Sequence, residues 1–183
     1  MAGKNSRIAL TGFMGVGKST VARHLARISG KTHEDLDDLI ETSQSRSIPT
    51  IIRDLGIERF REIEAHRLNE VLDDERIAII SLGGGTWTFE KNRDLIKAKG
   101  VTTVWLETTF DHCWRNIRSS RKRRPLVENK EQARALFRER ERLYCLADWH
   151  FVIEPGQNSY EVAQRIAVEI FSIKRVGETQ GKG

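Results

Sequence analysis

The segment Gly12-Phe13-Met14-Gly15-Val16-Gly17-Lys18-Ser19 constrains this chain more than any other, because it meets G-x-x-x-x-G-K-[ST] at every fixed position. The apolar run Ile8-Ala9-Leu10 precedes it, and residues 19–28 follow with a helical pattern. A strand, a glycine-rich loop and a helix in that order form an anion cradle. Glycines let successive backbone N–H groups converge on phosphate oxygens. The helix start aims its positive dipole end at the same charge. Lys18 supplies a point charge for the outer phosphates, and Ser19 offers a hydroxyl to Mg²⁺. Chance would place the bare pattern in roughly one chain in a hundred of this length, and the strand–loop–helix setting is rarer still. The loop predicts nucleotide binding.

The rest of the chain alternates in the same way. Continuous apolar runs at residues 77–80, 101–106 and 151–153 read as strands buried on both faces. Helical patterns lie between them, at residues 57–72, 92–99, 110–117, 130–146 and 159–173. Asp111 and Ser159 are the expected caps of two of these, and Pro49 fits the first turn of a short helix opened by Ser47. A second strand is expected at residues 31–35, although that stretch is too polar to identify from pattern. The alternation predicts a parallel sheet with helices on both faces. At 183 residues, with no repeat and no linker, one domain is expected. Its ordered core should span about residues 7–174, with the first few residues and 175–183 disordered.

A formal net charge of +5 favours anionic partners. Six of the ten residues from Arg115 to Arg124 are basic, which read alone is a solvated surface or a nucleic-acid patch. No apolar run is long enough for a bilayer, and the first seven residues lack the apolar centre of a signal peptide. A cytoplasmic protein without membrane contact is expected. Cys113 and Cys145, far apart and in no metal spacing, read as a reduced pair.

Other motifs narrow the chemistry. Asp35-Leu36-Asp37-Asp38 falls where a second strand would end beside the cradle. Alone, these acids would mostly stabilise a helix start. They are followed by Glu58-Arg59-Phe60-Arg61-Glu62-Ile63-Glu64, by Gly83-Gly84-Gly85 directly after a buried run, by Arg124-Pro125-Leu126, and by Arg140-Glu141-Arg142-Leu143-Tyr144. This ordered set resembles shikimate kinase, a small enzyme of the nucleoside-monophosphate-kinase type, from Ile8 to about Ile173. The resemblance implies a three-layer α/β/α P-loop fold with a mainly five-stranded parallel sheet and a mobile lid over residues 118–130. It implies substrate-binding helices over residues 36–72, a monomer, and ATP-dependent phosphorylation of the shikimate 3-hydroxyl.

Residue roles follow from the same resemblance. ATP would be held by Gly12, Met14, Gly15, Val16, Gly17, Lys18, Ser19 and Thr20, with Arg118 against the adenine and the Met14 side chain as filler. Mg²⁺ would rest on Ser19 and, through water, on Asp35. Asp37 would bind the acceptor hydroxyl and help remove its proton, and Arg124 would be the lid arginine on the transferring phosphate. Lys18, Asp37 and Arg124 thus form the catalytic set. Arg61 and Arg140 would clamp the shikimate carboxylate, for which the planar guanidinium fork is suited. Gly83, Gly84 and Gly85 would let backbone amides approach the substrate, and Ile48, Phe60, Glu64, Pro125 and Leu126 would line its pocket.

The chain departs from the family pattern at His33, at Ser45 (a customary turn glycine), at Ile57, at Arg142 and at Thr86-Trp87, where small residues are usual. A bulky indole near the acceptor pocket could tighten or change the choice of substrate, and what Trp87 does stays open. Two alternatives stand beside the leading one. A related kinase could act on another hydroxylated acid such as gluconate; the paired Arg61 and Arg140 argue against it. A silent nucleotide- or RNA-binding module would explain the basic run, and retention of Lys18, Asp35, Asp37 and Arg124 argues against that. No nucleic-acid partner is expected.

Overall fold

Ile8–Thr11 (β1) is buried at all four positions, as a strand flanked on both edges and covered on both faces requires. In this computed structural model, which describes residues 7–120, 127 and 129–173, β1 is the centre of a five-stranded sheet. The other strands are Thr32–Asp35 (β2), Ile77–Ser81 (β3), Thr102–Glu107 (β4) and Trp149–Val152 (β5). Their spatial order is β2-β3-β1-β4-β5, and every neighbouring pair is parallel. The polar second strand is real. It lies at the sheet edge with no fully buried residue, which is why Thr-His-Glu-Asp carries no apolar signal.

The helices are Lys18–Ser29 (α1), Leu36–Gln44 (α2), Ile48–Asp73 (α3), Glu90–Ala98 (α4), Phe110–Ser119 (α5), Lys130–Tyr144 (α6) and Ser159–Glu169 (α7). Ser47 caps α3 by accepting from the Thr50 N–H, with Pro49 in the first turn as expected. Gly56, at φ 85° and ψ 163°, breaks α3 into the short and long helices that the sequence suggests. Two caps are corrected. Thr109, not Asp111, caps α5, and Asn158, not Ser159, caps α7 in a reciprocal box with Glu161. In each case the acceptor side chain sits on the extended residue just outside the helix, while Asp111 lies in the first turn and favours the dipole from there. Helices α6 and α7 also stop at Tyr144 and Glu169, short of residues 146 and 173. Ser45 closes α2 at φ 49°, a left-handed position that glycine fills more easily.

Arg7 closes the far end of α3. Its guanidinium donates to the carbonyls of Val71, Leu72, Asp74 and Ile77 at 2.9–3.1 Å, satisfying groups that a helix end leaves open. Cys113 is buried and Cys145 exposed, and both are free thiols. No described helix is long and apolar enough to cross a membrane. The expected disordered ends, residues 1–6 and 175–183, lie outside the described residues.

The topology fixes where ligands can enter. The crossover after β1 leads to β2, past β3, whereas the crossover after β3 leads the opposite way, past β1, to β4. The adjacent carboxyl ends of β1 and β3 therefore flank a switch-point crevice. Leu82 N–H donates to Leu10 O at 3.0 Å there, and Asp35 pairs with Ser81 in the neighbouring register. The glycine-rich loop, the triple glycine and the acidic segment leave the sheet side by side.

Candidate active site

Residues 12–17 join β1 to α1. Gly17 caps the helix with a left-handed backbone, no side chain caps it, and no acid sits in its first turn, so its positive end is left for an outside anion. Lys18 is 8% exposed, and its ammonium donates to Gly12 O at 2.8 Å and Phe13 O at 3.3 Å. Beneath the loop lies Cys113, whose thiol burial pushes up to about 12 against the pull of Lys18. It is a packing group, not a nucleophile. Asn116 Nδ2 donates to Gly15 O at 2.7 Å and ties α5 to the loop.

One pocket above the loop is lined by Met14, Gly15, Gly17, Lys18, Ser19, Thr20, Asp35, Asp37 and Gly84, together with Asn116. Asp35 ends β2 and caps α2, its Oδ1 accepting from the Asp37 and Asp38 amides at 3.0 and 3.2 Å. Its Oδ2 is buried without a hydrogen-bond partner. A buried carboxylate oxygen left open, on a residue that lines the same pocket as Ser19, suits a hydrated cation. A further pocket shares Gly17, Asn116 and Ser159 with the first and adds Val16, His112 and Gln157. Burial, then the Arg115 charge beside it, lowers the His112 pKa, which favours the neutral ring.

The acceptor-side pocket is lined by Met14, Asp37, Ile48, Phe60, Arg61, Glu64, Gly83, Gly84, Gly85 and Arg140. It shares Met14, Asp37 and Gly84 with the phosphate-side pocket, so the two form one crevice. The three glycines make room for specific neighbours. A Cβ on Gly83 would stand 2.7 Å from Asp37 Oδ1, and one on Gly85 would stand 2.7 Å from Arg61 Nη2. On Gly84 it would meet the Met14 amide at 3.4 Å. The glycines thus let two side chains and the phosphate loop converge.

Arg61 is held from several sides. Its Nη1 donates to Glu64 Oε2 at 2.7 Å, and its guanidinium lies 5.0 Å from the Phe60 ring centre and 5.1 Å from that of Phe89. Arg140 is 6% exposed and donates to Gly84 O at 2.9 Å. The Tyr144 hydroxyl donates to the same carbonyl at 2.5 Å, and burial pushes its pKa up to about 12, so it stays a donor.

What Trp87 does is open in the sequence and is seen in the fold. The residue is 4% exposed, does not line the acceptor-side pocket, and donates its indole N–H to Leu143 O at 2.9 Å. It borders instead a wider groove of ≈ 580 Å³ shared with Lys97, Leu146 and Trp149. The turn Thr86–Thr88 carries it toward α6. Arg118 is exposed in the last turn of α5 and lines none of these pockets. Arg124, Pro125, Leu126 and the basic run at residues 121–124 lie outside the described residues. Asn116, Phe89 and Tyr144 were missed by sequence reasoning. Their partners are remote in the chain, and only the Arg-Leu-Tyr run hinted at Tyr144.

A phosphate loop at the switch point, opening into a pocket bordered by a carboxylate and two guanidinium groups, defines the class: a P-loop kinase of small molecules. The profile of the shikimate kinase family matches residues 14–171. Shikimate kinase of Streptococcus thermophilus is 40% identical over 161 residues, which is 86% of this chain and 96% of that protein. That of Persephonella marina is 31% identical over 87% of this chain and 95% of its own. The solved structure of shikimate kinase from Acinetobacter baumannii in complex with shikimate superposes with a TM-score of 0.82 at 34% identity, covering 91% of this chain and 93% of that one. The chain belongs to the shikimate kinase family.

Proposed function

We propose that this chain transfers the γ-phosphoryl group of ATP to the 3-hydroxyl of shikimate, releasing ADP and shikimate 3-phosphate. One observation carries the reading. Asp37 borders both the phosphate-side and the acceptor-side pockets, while Arg61 and Arg140 border the acceptor-side pocket alone. Shikimate has a carboxylate on one side of its ring and hydroxyls on the other. Bound with its carboxylate on the two arginines, it would turn a hydroxyl toward Asp37 and the phosphates.

The chemistry is then positioning and charge neutralisation. The acceptor oxygen bonds to the γ-phosphorus, its proton passes to Asp37, and the bond to the β,γ-bridging oxygen breaks with its electron pair leaving on ADP. Lys18 follows the charge that builds on the phosphates. The neutral His112 ring, with Asn116 and Gln157, gives the nucleobase a polar surface without fixed charge. Ser19 and Asp35 would hold Mg²⁺, which when bound offsets the charge of the outer phosphates.

Two measurements test this. In an ADP-release assay, shikimate should exceed open-chain acids such as gluconate by orders of magnitude in kcat/KM. Arg61→Ala should raise its KM by about 30-fold and leave the KM for ATP unchanged, as loss of a charged hydrogen-bond pair implies. Absence of turnover above the ATP-only background would sink the reading. Asp35→Asn keeps an oxygen to cap α2 but loses the charge. It should raise the half-saturating Mg²⁺ concentration by about tenfold without changing Tm. An unaltered Mg²⁺ titration would remove Asp35 from the metal site.

A further inference from the structure

Thr86 and Trp87 occupy the turn after the triple glycine, and the proposed reaction gives neither a task. Thr86 is fully buried. Its hydroxyl donates to Glu64 Oε1 at 2.7 Å, while Glu64 Oε2 accepts from Arg61 Nη1 at 2.7 Å. Glu64 is 1% exposed, so a buried carboxylate has one oxygen on each neighbour. The Trp87 indole reaches Leu143 O, one turn along α6 from Arg140. Thr86 therefore contacts the partner of one pocket arginine, and Trp87 contacts the helix that carries the other.

We propose that the Thr86-Trp87 pair braces both guanidinium groups of the acceptor clamp, Thr86 holding Arg61 through Glu64 and Trp87 holding Arg140 through α6. The proposal rests on the reading that these arginines hold the acceptor carboxylate. Neither residue lines the acceptor-side pocket, so both are positioning residues. The physical reason is donor competition. With Thr86 on Oε1, Glu64 engages Arg61 through Oε2 and leaves the rest of the fork for a ligand. Without that hydroxyl, Oε1 is a buried, open acceptor on a carboxylate already bonded to Arg61, and a carboxylate can engage one guanidinium through both of its oxygens. Glu64 would then take the arginine for itself. Trp87 acts more weakly, because its target carbonyl also receives the Leu146 amide at 3.1 Å.

The test compares shikimate with its methyl ester, which lacks the anion. Thr86→Val should raise the KM for shikimate about tenfold, with kcat within about threefold and the KM for ATP unchanged. Thr86→Ser, which restores the donor, should return to within about twofold of the parent. Trp87→Phe should raise the KM for shikimate about threefold. With the ester, kcat/KM should be the same in parent and variants. A purely packing role would lower Tm and penalise both acceptors alike, and that result overturns the proposal. So does a parental KM for shikimate in Thr86→Val where Arg61→Ala has raised it. If Arg61→Ala leaves that KM unmoved, the clamp reading fails first and the brace falls with it. Should Thr86→Val not fold, Trp87→Phe decides by the same ester comparison: a loss confined to shikimate supports the brace, and equal or no loss overturns it.

Discussion

Asp37→Asn is expected to lower kcat by about 10³, within the range that positioned proton acceptors contribute. Asparagine keeps the outline of the side chain, so the space that Gly83 leaves for it stays filled. The Asp37 backbone N–H still donates to Asp35 Oδ1, so the start of α2 is undisturbed. What is lost is the ability to take a proton from the attacking hydroxyl beside the phosphates. The KM for shikimate should move far less than kcat, because Arg61 and Arg140 are untouched. Steady-state kinetics with saturating ATP would separate the two constants. A fall in kcat of less than about tenfold would mean the proton leaves by another route, and Asp37 would be only a hydroxyl contact.

The contrast with Arg61 is informative. Arg61 borders only the acceptor-side pocket and Asp37 borders both, so one should act on KM and the other on kcat. Should the two effects appear in the same constant, the division of the crevice into holding and reacting sides is wrong.

Much of this crevice was legible from short stretches of sequence. The phosphate loop, the acidic pair and the triple glycine are local patterns, and the first and the last leave strands whose apolar runs mark them. Their meeting follows from parallel-sheet topology alone. The legible part ends where partners are distant in sequence. Asn116 reaches Gly15, Tyr144 reaches Gly84, and Trp87 reaches Leu143 across separations that no periodicity reports. Trp87 shows the risk most clearly. Next to a substrate motif it invites a role at the substrate, yet a turn of three residues carries its indole to the neighbouring helix. Strand β2, expected at residues 31–35 from the alternation alone and found at Thr32–Asp35, carries no signal of its own for the opposite reason. An edge strand needs no continuous apolar run, so its pairing is invisible until β3 is beside it.

Gly15→Ala should be the most damaging change to the nucleotide side. Gly15 stands at φ 83°, where a side chain costs about 1–2 kcal/mol. Its Cβ would also lie 2.5 Å from the Cys113 carbonyl oxygen and 3.0 Å from Ile117 Cγ1. Cys113 lies inside α5 and its carbonyl cannot swing aside, so the loop or the whole helix must shift. Overpacking of that kind adds about 1–3 kcal/mol. The sum, about 2–5 kcal/mol, lowers Tm by about 5–15 °C for a chain of this size. The same shift strains the Asn116 bond to Gly15 O and displaces the cradle, and a displacement near 1 Å costs about 100-fold in reactivity. Gly30→Ala is the control. Gly30 stands at φ 66° with nothing within 4 Å of an added Cβ, so it bears the backbone cost alone. Calorimetry and steady-state ATP kinetics of both variants isolate the clash: Gly15→Ala should lose several degrees more than Gly30→Ala and about 100-fold in nucleotide-dependent kcat/KM. Equal Tm losses with ATP kinetics intact would mean that the loop has slack against α5, and that its close seating on Cys113 does not hold the cradle in shape.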